Sequence, residues 1–257
     1  MLLTKTSRPS GQWYRLSGDQ VGVLLASASL AAHSLGKGDS SKVAILSSAV
    51  STGMIGQMAL DEGFIHEETL TGFKWMGKRA LERGDVLYAF EEALGYMWPA
   101  VCYDKDGIAA AAVFLRALVD WQEEEGLTPW GKLQQLYKRH GYFENLNTYF
   151  RSVDPKSVTK TLFERITQLG HPFPTHVGGR KVLRWRDLTI GYDSVNPPSY
   201  AASLPSVSKD SPMITCWLAG KSETASAGDP VILDKGVRFT VRASGTEPKV
   251  KRRFFLT

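Results

Sequence analysis

Near the C-terminus, Arg242-Ala243-Ser244-Gly245-Thr246-Glu247-Pro248 sets a guanidinium ahead of two hydroxyls separated by a glycine. Gly245 lets the backbone bend sharply and come close to an anion. Ser244 and Thr246 add hydroxyl donors to exposed backbone N–H groups, and Arg242 offers a planar fork matched to phosphate oxygens. Such a loop grips a dianion by geometry and charge together. The same residues also describe an ordinary hairpin turn, and four turn-type residues by themselves favour that plainer reading.

A second group lies mid-chain. Glu91 and Glu92 directly follow the strand-like Val86-Leu87-Tyr88-Ala89-Phe90. A carboxylate accepts hydrogen bonds from neighbouring sugar hydroxyls with good angular selectivity, although solvated strand-end charges would read the same way. Thr71-Gly72-Phe73-Lys74 opens a helix that carries Lys74, Lys78 and Arg79, so Lys74 either meets a phosphate or faces solvent. Lys249, Lys251, Arg252 and Arg253 are interleaved with Val250, Phe254 and Leu256, as in an amphipathic strand; they form a solvated face or a nucleic-acid contact. The five histidines (His33, His66, His140, His171, His176) show no metalloprotease spacing, and no Ser/His/Asp trio assembles from their order. Asp104-Lys105-Asp106-Gly107 lacks the distant glutamate of a calcium loop and suits a helix cap better.

The elements that must position these residues follow from periodicity. Ser17 and Gln20 form a capping box ahead of Val21, Leu24, Leu25 and Ala28 at helical spacing, predicting a helix to about Ala32. The apolar run 42–47 predicts a buried strand, and Ser51-Thr52-Gly53 turns into a helix over 54–62. After the strand at 86–90 come helices over 108–125 and from Thr128-Pro129 to about His140. Strands alternating with helices predict an α/β domain, whose ligands belong at the carboxyl ends of its strands. Beyond it, strands are predicted at 148–153, 181–186, 213–218, 237–242 and 250–256, with one helix from Asp154-Pro155 to about Leu169. That rhythm predicts an α+β domain with a mainly antiparallel sheet. The expected domains are 1–141 and 142–257.

The chain has 257 residues and 43% hydrophobic content, enough for a substantial core, and its net charge of +5 suits an anionic small molecule as well as a nucleic acid. Cys102 and Cys216 stand far apart in apolar surroundings, so both are expected to be buried thiols in a reducing compartment. No uncharged apolar run is long enough to span a bilayer, and a cytoplasmic location without membrane partners is expected.

Taken together, the stretches 67–77 (Glu-Glu-Thr-Leu-Thr-Gly-Phe-Lys-Trp-Met-Gly), 90–97 (Phe-Glu-Glu-Ala-Leu-Gly-Tyr-Met), 104–107 and 242–249 resemble the α-D-phosphohexomutase superfamily, in its phosphoglucomutase/phosphopentomutase and glucose-1,6-bisphosphate synthase branch. The resemblance implies the third and fourth of that family's four domains. It implies that Glu91 and Glu92, with Thr71, Gly72, Phe73 and Lys74, contact the sugar, and that Ala93 stands where other branches carry a serine. It further implies that Arg242, Ser244, Gly245, Thr246 and Lys251 bind a phosphate. No phosphoserine loop of the Thr-Ala-Ser-His-Asn-Pro kind and no Asp-x-Asp-x-Asp-Arg magnesium loop occurs in the sequence. The expectation is therefore a C-terminal half that binds a sugar phosphate but has no catalytic residue of its own and is inactive alone. Magnesium and a sugar bisphosphate are implied for the complete enzyme, with the N-terminal half as a partner in trans. A non-catalytic phosphosugar-binding module is the alternative; a nucleic-acid partner is disfavoured because the aromatic motifs of RNA-binding sheets are missing.

Overall fold

The computed structural model describes residues 3–5, 13–151, 154–196, 212–220, 236–243 and 249–256, with the backbone alone at 3–5, 149–151, 155–156 and 249–256. The chain divides into two compact units, 1–143 and 144–257.

The first unit runs β1 (Leu3–Lys5), β2 (Trp13–Arg15), α1 (Gly18–Leu35), β3 (Ala44–Ser48), α2 (Met54–Glu62), β4 (Ile65–Thr69), α3 (Phe73–Arg83), β5 (Val86–Glu91), β6 (Gly95–Met97), α4 (Gly107–Glu125) and α5 (Pro129–His140). β1 and β2 form a small antiparallel pair. Among the described residues the main sheet has the order β4-β3-β5-β6, with β3, β4 and β5 parallel and β6 returning antiparallel to β5. The alternation along β3 sorts the two faces. Ile45 joins a core built with Leu24, Met54, Met58, Phe114 and Leu133 from α1, α2, α4 and α5. Ala44 and Leu46 point the other way, onto Phe73, Met76 and Ala80 of α3. The result is an α/β/α sandwich with both faces of the sheet covered, which is why β3 reads as a continuous apolar run.

Local sequence sets the helix ends. Ser17 and Gln20 form the expected capping box, with Gln20 N–H donating to Ser17 Oγ at 3.3 Å and Ser17 N–H donating to Gln20 Oε1 at 2.9 Å. Asp106 accepts from the N–H groups of Ile108 and Ala109, and Thr128 caps α5 ahead of Pro129, so the Asp104–Gly107 stretch does serve as a cap. α1 lies close against the β5–β6 hairpin because two glycines let it. A Cβ on Gly22 would fall 2.3 Å from the Phe90 ring, and one on Gly18 would fall 1.9 Å from the Glu92 carbonyl oxygen.

The periodicity gave no sign of β4. Its sequence, Ile-His-Glu-Glu-Thr, reads as a polar connection, but it is an edge strand, and Glu67 is held by α3. Arg79 Nε donates to Glu67 Oε1 at 2.6 Å and Arg83 Nη1 to Glu67 Oε2 at 3.0 Å, while Arg83 also pairs with Asp85 ahead of β5. Cys216 is buried as expected; Cys102 is a correction, being half-buried on a loop, where its Sγ donates to the Asp104 carbonyl at 3.1 Å.

The second unit comprises β7 (Glu144–Arg151), α6 (Pro155–Thr167), β8 (His176–Val177), β9 (Arg180–Asp187), β10 (Tyr192–Asp193), β11 (Met213–Leu218), β12 (Val237–Ala243) and β13 (Lys249–Leu256). Its strands pair antiparallel throughout in the order β10-β9-β11-β12-β13-β7, with β8 hairpinned onto β9. Trp185, Ile214, Cys216 and Val241 pack with Phe163 of α6 on one face. On β9 and β11, Arg184 and Arg186 lie over the ring of Trp217, and Arg184 forms a two-pronged pair with Asp193. An α/β domain followed by an α+β unit with an antiparallel sheet is the predicted fold class. The polar stretch 222–229 and most of 196–199 lie outside the described residues.

Candidate functional site

Because β3, β4 and β5 run parallel, their carboxyl ends Ser48, Thr69 and Glu91 lie at one edge of the sheet, and the loops 49–53, 70–72 and 92–94 leave from that edge together. Two stretches singled out in the sequence meet here. The Gly72 N–H donates to Glu91 Oε2 at 3.0 Å, fastening the end of β5 to the residue that caps α3. Gly72 holds φ 104° and ψ 137°, a conformation open essentially to glycine alone, so the direction of this N–H depends on residue type. Phe73 follows it into the core, and its ring fills the space above Gly95. A Cβ on Gly95 would lie 2.3 Å from that ring and 3.0 Å from Glu91 Cγ. Thr71 and Glu91 remain half-buried. A carboxylate offers about four acceptor positions; Gly72 takes one, leaving the group capable of receiving hydroxyl donors.

Glu92 behaves differently. It is buried, and its Oε2 accepts from Ser48 Oγ at 3.1 Å and Ser51 Oγ at 3.4 Å, while its own N–H donates to Ser51 Oγ at 3.2 Å. A second buried carboxylate, Asp19 in the first turn of α1, accepts from the Thr52 N–H at 2.8 Å. Tyr96 closes the ring by donating its hydroxyl to the Gly18 carbonyl at 3.2 Å. Burial, and then the Asp19 charge, push the Tyr96 phenol far above its ordinary range, so it stays a donor. The loop after β3, the start of α1 and the β5–β6 hairpin are thereby one hydrogen-bonded assembly.

Within the hairpin, Glu91 pairs with Gly95, leaving a three-residue loop, Glu92-Ala93-Leu94. Leu94 carries φ 63°, the left-handed conformation that such loops require at their last position. Ala93 and Leu94 are both exposed.

Of the other sequence-derived residues, Lys74 is exposed at the start of α3, its Nζ 5.4 Å from the centre of the neighbouring Trp75 ring. Arg242 lies half-buried near the end of β12, and the β12–β13 register sets Lys251 opposite it. Ser244, Gly245 and Thr246 lie outside the described residues. Sequence reasoning passed over Asp19, Ser48, Ser51, Thr52 and Tyr96. A signal existed for the first of them: two glycines four apart inside a helix, Gly18 and Gly22, mark a face that approaches another backbone closely. Among the described residues there is no group of three or more His, Cys, Asp or Glu side chains that could hold a metal ion. Nor is any helix among them long and apolar enough to cross a membrane.

Residues 17–140 match the family described as phosphoglucomutase/phosphomannomutase, alpha/beta/alpha domain III. Over 254 residues the chain is 40% identical to phosphoribomutase of Saccharomyces cerevisiae, an alignment covering 94% of this chain and 39% of that protein. It is 38% identical over 219 residues to glucose 1,6-bisphosphate synthase of Mus musculus, covering 83% of this chain and 32% of the relative. Residues 17–140 belong to the phosphoglucomutase/phosphomannomutase domain III family. The chain spans about two fifths or less of the length of these relatives. Solved phosphohexomutases share its fold. Parafusin, a phosphoglucomutase from Paramecium in an open form, superimposes with a TM-score of 0.60 at 20% identity, over 96% of this chain and 37% of its own. The Aspergillus fumigatus N-acetylphosphoglucosamine mutase, solved with GlcNAc-6P and magnesium, gives 0.52 at 13% identity, over 99% of this chain and 46% of its own.

Proposed function

We propose that this chain is the sugar-phosphate-holding part of a phosphoglucomutase- or phosphopentomutase-type enzyme that moves a phosphoryl group within a hexose or pentose phosphate. The observation that carries the reading is the Gly72 N–H to Glu91 carboxylate bond, which draws two separate motifs together at the carboxyl edge of a parallel sheet. Glu91 takes the sugar hydroxyls, with Thr71, Gly72, Phe73 and Lys74 lining the same edge. Glu92 supports it from beneath, its carboxylate being occupied by Ser48 and Ser51. Arg242, Ser244, Gly245, Thr246 and Lys251 grip the phosphate that does not react. Phosphoryl transfer rests on positioning and charge neutralisation. The nucleophile and a magnesium ion, which supplies charge neutralisation when bound, come from sequence outside this chain, acting in cis or in trans in the cytoplasm.

Calorimetry on the full 257-residue chain tests the binding half of this proposal. Glucose 1-phosphate and ribose 1-phosphate are the probes, and saturable binding is expected that is lost in Arg242→Ala and weakened about tenfold or more in Glu91→Gln, a charged hydrogen bond being worth about 1.5–3 kcal/mol. No binding of either sugar phosphate overturns it. A coupled glucose 1-phosphate assay tests the rest: no magnesium-dependent turnover is expected from this chain alone, and turnover is expected when it is mixed with the N-terminal portion of a relative. Binding without turnover in that mixture would favour a non-catalytic phosphosugar module.

A further inference from the structure

Leu94 is an exposed apolar residue in a backbone conformation that disfavours it. Its φ of 63° places it in the left-handed region, where a side chain costs about 1–2 kcal/mol and where glycine, asparagine and aspartate are at home. A three-residue hairpin loop needs that conformation, but it does not need leucine. Nor does the core: the side chain is 61% exposed, so burial does not offset the strain. The conformation is also tightly fixed. Glu92 is bound to Ser48 and Ser51 on one side, the 94 N–H lies 3.3 Å from where a Gly18 Cβ would be, and Gly95 is locked in the β5–β6 pairing on the other. A strained, exposed apolar residue on a firmly held backbone, three residues from Glu91, is the pattern of a ligand contact.

Resting on the reading of Glu91 as the sugar-binding carboxylate, we propose that Leu94 is a specificity-determining residue. Its isobutyl group packs on the apolar C–H face of the sugar ring while Glu91 takes the hydroxyl edge. Sugars are amphipathic in this sense: hydroxyls radiate from the rim, and a patch of C–H groups faces one side. A carboxylate and a fixed aliphatic group a few residues apart on one hairpin match that arrangement, with the orientation of the ring set by both contacts together. Ala93, between them, is small enough to leave the approach open.

The test separates stability from binding. In the full chain, Leu94→Gly removes the strain and should raise the melting temperature by about 2–4 °C, yet weaken glucose 1-phosphate or ribose 1-phosphate binding about three- to tenfold through lost apolar contact. Leu94→Asn, also at ease in the left-handed region, should behave the same way. Leu94→Met, strained but apolar, should keep wild-type affinity. Among sugar phosphates, the penalty in Leu94→Gly should be largest for the epimer with the most continuous C–H face and smallest for one whose axial hydroxyl interrupts it. A more stable Leu94→Gly chain with unchanged affinity for both probes would overturn the proposal and leave Leu94 to a contact with another protein segment. Failure of the wild-type chain to bind either sugar phosphate would instead remove the reading of Glu91, and this inference with it.

Discussion

Gly18→Ala is a one-methyl test of how the candidate site is held. The added Cβ would fall 1.9 Å from the Glu92 carbonyl oxygen, 2.8 Å from its carbon and 3.3 Å from the Leu94 nitrogen. All three are backbone atoms, so no rotamer change relieves the clash. Ordinary contact begins at 3.4 Å, and reaching it requires 3.4 − 1.9 = 1.5 Å of movement between the start of α1 and the hairpin loop. That movement pulls on the Tyr96–Gly18 bond, on the Asp19–Thr52 bond one residue on, and on the Glu92–Ser51 bonds. Overpacking of this kind costs about 1–3 kcal/mol. Replacing glycine in a helix returns up to about 1 kcal/mol, so a net loss of about 1–2 kcal/mol is expected.

Gly107→Ala is the matched control. Gly107 occupies the same first helical position in α4, and a Cβ there would meet nothing within 4 Å. That variant should be neutral or slightly more stable. Urea unfolding of both variants measures the difference, and calorimetry with glucose 1-phosphate measures its consequence for the site. Since misplacing a binding group by about 1 Å is enough to cost as much as 10²-fold in a positioned reaction, Gly18→Ala should weaken sugar-phosphate binding at least about tenfold and Gly107→Ala should leave it intact. If the two variants unfold within about 0.5 kcal/mol of each other and bind alike, the hairpin is not held by α1 and the reasoning fails.

Three further outcomes are expected. Tyr88 is fully buried against Phe90 and Trp98, and its hydroxyl has no hydrogen-bond partner among the described residues, so Tyr88→Phe should stabilise the fold by about 1 kcal/mol; destabilisation in urea unfolding by that amount would contradict it. Burial pushes the Tyr88 phenol well above its ordinary value, and burial together with Asp19 does the same for Tyr96. With folded-state values raised above the unfolded value of about 10, their contribution is intact below pH 10 and declines as pH rises beyond it, by about 1.4 kcal/mol per unit for each tyrosine. Tyr96→Phe should flatten that alkaline limb by one proton's worth, and an unchanged slope would refute the assignment. Burial pushes the Cys216 thiol up to about 12, whereas Cys102 sits half-buried on a loop. Iodoacetamide at pH 8 should therefore label native protein at Cys102 only, as read by mass spectrometry, with Cys216 labelled once the chain is unfolded.

Much of the fold was legible because local chemistry and tertiary role coincide. The capping box at Ser17, the Thr128-Pro129 start of α5 and the apolar run of β3 each announce an element whose surroundings agree with its sequence. β4 was hidden because they disagree. Glu67 looks like a loop residue until Arg79 and Arg83, 12 and 16 positions later, are brought beside it by α3, and no periodicity encodes a pairing across that distance. The same limit applied at the candidate site. Glu91 and Glu92 are indistinguishable as letters, both acidic and both at the end of a strand, yet one turns toward Gly72 and stays half-open while the other turns inward to two serines. The position in the hairpin decides this: Glu91 still belongs to the ladder opposite Gly95, and Glu92 has left it. The glycines held the missing information in plain view. Gly18, Gly22 and Gly95 each lack a Cβ at a place where a backbone or a ring already occupies the space. Read as spatial constraints rather than helix breakers, they place α1 and the Phe73 ring against the hairpin. Where α1 meets the hairpin loop Glu92 is buried, while Glu91, bound by the Gly72 N–H, stays half-buried.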